Sequence, residues 1–247
     1  ENEWIPADRM LAKLPELPDI CLRALSQDMY QDPLRLQTPN SMQRILLKVA
    51  VEYASVFLQY DAVHAAPLRI IELENKADYV WPIPITVAGE TRTVRLFGII
   101  DRVDESGGTI RIVDYKTGRD ELKYQDTETL FAPLSRKGNK AMIQTLFYTY
   151  VYEQVTGRRG VEPNLYSARK LRSEGSHFYR KERGRVPAIS DELTQLKTGF
   201  AGFLKDTLEE LFNPEIPFRH NPDADLYPGH AYREFTMQSS EIHDSDA

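Results

Sequence analysis

The spacing of apolar residues divides the chain into helical and extended stretches. From Ser41 to about Gln59, Ile45, Leu46, Val49, Tyr53, Val56 and Phe57 recur at helical spacing, with Ser41 placed to cap a helix whose apolar side supports the core. Ala141–Thr156 reads as a second helix, apolar at Met142, Leu146, Phe147, Tyr150 and Val151 and ended by Gly157. Asp191–Phe212 reads as a third, with Leu193, Leu196, Phe200, Phe203, Leu204, Leu208 and Leu211 on one side behind a Ser190 cap. Leu68–Leu73, Val80–Val87 and Val161–Ala168 have the β-branched character of strands. Prolines at 6, 15, 18, 33 and 39 forbid one long helix in the first forty residues. They leave a short one around Asp19–Met29, with Trp4, Leu11, Leu14 and Leu17 packing onto the main domain.

The stretch Leu96–Gly118 reads as a β-hairpin, two Ile- and Val-rich runs around Glu105-Ser106-Gly107-Gly108. A two-residue loop at Ser106-Gly107 or a four-residue loop at 105–108 gives one register, in which Asp101 faces Ile112, Ile99 faces Asp114 and Phe97 faces Lys116. Alternation puts Asp101, Asp114 and Lys116 on one face. The two acids become diagonal neighbours, roughly 7–8 Å apart at the backbone, able to share one divalent ion. A hard cation such as Mg²⁺ takes oxygen ligands from one or two carboxylates, water and substrate phosphate. A lysine beside it can orient water and offset charge on the phosphate. Arg102 and Asp104 fall on the opposite face, where an ion pair would brace the hairpin.

Three ordered motifs carry a family resemblance. G-x-x-D-R-x-D at Gly98–Asp104, D-Y-K-T-G at Asp114–Gly118 and Q-x-x-x-Y at Gln144–Tyr148 resemble the RecB-type nuclease domain of the PD-(D/E)xK superfamily. The resemblance implies an α/β fold, a mixed central sheet flanked by helices in a restriction-endonuclease-like core, with a helical N-terminal appendage. It implies a Mg²⁺- or Mn²⁺-dependent nuclease with Asp101, Asp114 and the Tyr115 carbonyl on the metal, Lys116 positioning the attacking water, and Glu74 assisting. Glu72 is the other acid at that strand end, and periodicity does not separate the two. Gln144 and Tyr148, stacked on one helix face, would align the substrate strand. Relatives carry an upstream helical histidine. His64 follows the first helix in what reads as a loop at 61–67, and a surface role is expected of it. Relatives also end in a cysteine cluster, whereas this tail holds only His220, His230 and His243, so no iron–sulfur cluster is expected.

Composition adds bounds. The single cysteine, Cys21, excludes a disulfide framework. No apolar run is long enough to span a membrane, and a cytoplasmic protein is the default. Net charge of −6 argues against coating nucleic acid by bulk electrostatics. Residues 157–185 nevertheless hold nine Lys/Arg against three acids, with His177, Phe178 and Tyr179 among them, a pattern that suits single-strand binding or a solvated hairpin equally. Residues 119–139 read as a polar loop bordering the substrate, carrying an apolar patch at Phe131–Leu134 and the bases Arg136, Lys137 and Lys140.

The expected organisation is a helical region at 1–60, a nuclease-like core at 61–220 and an acidic, partly disordered tail at 221–247. The leading expectation is a DNA exonuclease in a repair or recombination system, free of any membrane and working with a helicase domain or subunit. The competing one is an inactive DNA-binding or scaffolding module of a repair complex.

Overall fold

The computed structural model describes residues 3–75, 79–118, 120–126, 128, 130, 140–180, 182 and 190–218. The patch at 131–134, Arg136, Lys137, most of the basic run after Arg180, and the tail with its three histidines lie outside these residues. The fold is the mixed α/β arrangement expected. A four-stranded sheet has the order β1 (Leu68–Asn75), β4 (Ile100–Ser106), β5 (Thr109–Lys116), β7 (Glu162–Ser167). β1, β4 and β5 are antiparallel, and β7 joins β5 in parallel. That parallel step needs a crossover, and α4 (Lys140–Thr156) supplies it.

The sheet is covered on both faces. On one, α3 (Ser41–His64) packs Val56, Phe57 and Tyr60 against Val113, Tyr115 and Tyr166. On the other, α4 packs Phe147, Tyr148, Val151 and Tyr152 against Ile100, Val103 and Ile112. A third layer, α6 (Ser190–Leu211), sets Leu196 and Phe200 against α4. A buried Lys197–Glu153 ion pair at 2.6 Å pins α6 to α4. A separate hairpin of β2 (Val80–Val87) and β3 (Glu90–Phe97) turns at Ala88-Gly89, both at positive φ, and seats Ile83, Ile85 and Val87 on Leu208 of α6.

Several sequence expectations need correction. Leu96 and Phe97 belong to β3, and Phe97 pairs with Val80 rather than Lys116. The turn between β4 and β5 uses Gly107 and Gly108, at φ 57° and 81°, because both central residues of such a tight reversal need left-handed backbone. The ladder therefore moves by two residues, Ser106 opposite Thr109 and Val103 opposite Ile112. A two-residue shift preserves which face each side chain takes. The cap of α3 is Asn40, in a reciprocal box with Gln43, rather than Ser41. At 24 residues the helix is about 36 Å long and overruns the sheet, which leaves Ile45, Leu46 and Val49 exposed instead of core-facing. Trp4 and Leu11 are exposed as well, while α2 (Leu17–Tyr30) forms where a short helix is expected. His64 is the last residue of α3, not a loop residue, and is exposed against the Tyr60 ring. The polar loop after β5 contains a short strand, β6 (Lys123–Tyr124), paired with β8 (Tyr179–Arg180).

Candidate active site

Each face of the β4–β5 hairpin carries charge, and the two are built differently. On the α3 side, Arg102 grips Asp61 with two bonds of 2.8 and 3.0 Å, and Arg111 grips Asp104 with two of 2.7 Å. Arg102 Nε lies 2.8 Å from Asp104 as well. Tyr166 donates to Asp61 at 2.7 Å, and Arg102 donates to the Tyr115 hydroxyl at 2.6 Å. All four charged residues are buried. The acids around them hold both guanidinium groups in the charged state despite burial. The expected Arg102–Asp104 brace is present. Arg111 and Asp61 complete it, and nothing in their spacing announces them.

On the α4 side the residues brought together are the sequence-predicted acids. Arg102 opposite Val113 is the last rung of the β4–β5 ladder, so the next places Asp101 directly across from Asp114, not diagonally. Directly opposed side chains start about 4.5–5.5 Å apart. Asp101 accepts a 2.9 Å bond from the Tyr115 N–H. In an antiparallel ladder a residue's N–H and C=O face the same neighbour, so the Tyr115 carbonyl also turns toward β4. On the outer strand, Leu73 opposite Arg102 and Asn75 opposite Ile100 bracket Glu74 beside Asp101. Glu74 is exposed and at φ 45°. Glu72 sits one rung deeper, opposite Val103, and accepts a hydrogen bond from the Tyr79 hydroxyl. Glu74, Asp101 and Asp114 thus form a row across three strands.

Asp114 is almost wholly buried, and its one close cation among the described residues is the Lys116 ammonium at 2.5 Å. Burial pushes its pKa from 3.8 up to about 6; Lys116 opposes the rise, while Asp101 and Asp120 add to it. Sequence reasoning missed Asp120. Its Oδ2 is buried without a hydrogen-bond partner among the described residues, its carboxylate lies against Gly118, and its backbone carbonyl accepts a 2.8 Å bond from Lys170. No motif covers that loop position.

Gln144 Nε2 donates to the Tyr148 hydroxyl at 2.8 Å, so the i, i+4 pair acts as one unit. The Tyr148 ring lies on the chain at Gly98, where an added Cβ would fall 2.4 Å from Cε1. This close approach is a physical reason for the glycine that opens G-x-x-D-R-x-D. Among the described residues, the basic run from 169 onward presents no exposed aromatic platform. Phe178 and Tyr179 are buried in the core, Lys170 is tied to Glu121, and Arg172 bonds Gln59.

The donor set of the α4 face is all oxygen, which suits a hard divalent cation. Among the described residues no three His, Cys, Asp or Glu side chains are grouped closely enough to hold a metal ion. Two carboxylates with water and a phosphate completing the shell is the arrangement Mg²⁺ commonly takes. Asp101 and Asp114 fit it. No helix among the described residues is long and apolar enough to cross a membrane.

A family model for the PD-(D/E)XK nuclease superfamily matches residues 6–226. A comparison with curated proteins gave no match.

Proposed function

The chain belongs to the PD-(D/E)XK nuclease superfamily, and from that membership and the α4-side acids we propose that it is a metal-dependent nuclease that hydrolyses DNA phosphodiester bonds. The observation that carries this reading is the buried Asp114, paired with Lys116 at 2.5 Å and facing Asp101 beside the apolar cluster under α4. Burying the Asp114 carboxylate with a second acid, the half-buried Asp101, beside it is costly unless a further positive charge arrives. Asp101 and Asp114 would hold a Mg²⁺ or Mn²⁺ ion, with Glu74 assisting from β1 and the Tyr115 carbonyl as a third donor. Bound there, the ion would polarise the scissile phosphate and lower the pKa of water.

The chain's own residues do the rest. Lys116 directs the attacking water and balances charge as its oxygen adds to phosphorus and the ester bond breaks. Gln144 and Tyr148 hold the strand by its backbone, Gln144 able to donate and accept, Tyr148 through its hydroxyl. Residues 61–220 act as the catalytic core beside the helical region at 1–60. Exonuclease action in a cytoplasmic repair or recombination system, with a helicase domain or subunit feeding the strand, completes the proposal.

The test is cleavage of end-labelled linear DNA, single- and double-stranded, with Mg²⁺ or Mn²⁺ beside an Asp114→Ala control. Metal-dependent cutting that the substitution abolishes supports the reading, and a ladder shortening from one end identifies an exonuclease. Binding of DNA without cutting in either metal would favour a scaffolding module. The lack of a three-ligand cluster among the described residues is the observation on that side.

A further inference from the structure

The β2–β3 hairpin has one face on α6 and one facing solvent. Val94 and Leu96 point inward with Ile83 and Ile85, while Arg95 and Phe97 alternate outward and are exposed. Phe97 is 76% exposed although it occupies a paired position at the last rung of the ladder. The chain just beyond it is fixed, because Gly98 is packed under the Tyr148 ring. Of the exposed aromatic side chains among the described residues (Trp4, Phe97, Phe212 and Phe218), Phe97 is the one on the segment leading into Asp101. They are four positions apart, so their backbones lie within about 14 Å. Arg95, on the same strand face about 7 Å away, makes no ion pair among the described residues.

We propose that Phe97 is a base-stacking residue for single-stranded DNA held at the Asp101–Asp114 site, with Arg95 pairing to a phosphate of the same strand. The inference rests on the nuclease reading and adds how the strand is gripped. An unpaired base offers a whole face to an aromatic ring, and such stacking tolerates any sequence. A duplex hides those faces, so Phe97 discriminates between the two forms. Phe178 and Tyr179 are withdrawn into the core, which leaves the stacking role to an aromatic outside the basic run. Ile99, also exposed, extends the apolar ledge toward Asp101.

The experiment measures binding of a fluorescent oligothymidylate, and of an oligonucleotide carrying 2-aminopurine, in calcium buffer over a time in which no cleavage is detected. Phe97→Ala should weaken single-strand binding roughly tenfold and relieve 2-aminopurine quenching, while Phe97→Trp retains both. Duplex binding should change less than twofold. Arg95→Gln should lower the salt slope of binding by about 0.7. Phe97 is exposed, so the Ala variant should melt with the wild type and bind Mn²⁺ as tightly. A wild type that binds and cuts, with a Phe97→Ala variant that binds and quenches identically, overturns this inference alone. A wild type that neither binds nor cuts DNA overturns the nuclease reading and this inference with it.

Discussion

The two faces of one hairpin use the same residue types to opposite ends. Toward α3, two arginines and two aspartates neutralise one another through paired contacts, and tyrosine hydroxyls take up further capacity. Toward α4, Lys116 pairs with Asp114 while Asp101 adds a second negative charge beside it. The first face is complete as it stands, and removing any member leaves the buried network with an unbalanced charge. The second carries surplus negative charge around one buried carboxylate, Asp114. A balanced network serves the fold, whereas an unbalanced one stores an affinity for something positive.

The largest effect expected from breaking this contrast is on the balanced face. Arg102→Ala leaves Asp61 and Asp104 short of a partner and should cost about 3–5 kcal/mol in urea unfolding. An equal loss from Lys116→Ala would erase the distinction between the faces.

On the other face the sign reverses. Asp114 has a folded-state pKa raised to about 6, so the folded chain holds a proton that the unfolded chain releases near 4. Its ionisation therefore costs nothing below pH 4, and the cost grows to its full size above about pH 6, on the order of 3 kcal/mol. Metal-free Asp114→Asn should be more stable than wild type at pH 7.5 by up to that amount, and the advantage should vanish by pH 4. Thermal melts across that range read it directly, and an advantage independent of pH would contradict the assignment.

A smaller effect tests how α4 is held to the site. Gly98→Ala drives a methyl into the Tyr148 ring and should cost about 1–3 kcal/mol, with slower cleavage. Adding Tyr148→Leu should recover most of the stability but not the cleavage rate.

The site acids were readable in the sequence because strand alternation survives a register error of two. Asp101, Asp114 and Lys116 keep one face whether the turn is at Ser106-Gly107 or Gly107-Gly108. What alternation does not carry is which residue lies opposite which, and the choice between adjacent glycines turns a diagonal pair of acids into a direct one. Contacts distant in sequence were equally hidden. Asp61 reaches Arg102 across 41 positions, and Asp120 reaches Asp114 through a loop without periodicity. Helical spacing likewise named Ile45, Leu46 and Val49 as apolar, but a helix longer than its sheet leaves them uncovered.

The α4-side face is charged for a cation. The most direct test of this is the melting temperature of wild type and Asp114→Asn at pH 7.5 as Mn²⁺ is added. Wild type should show a rise that grows with metal concentration, and the variant little or none. Equal shifts in both proteins, or none in wild type, would contradict it.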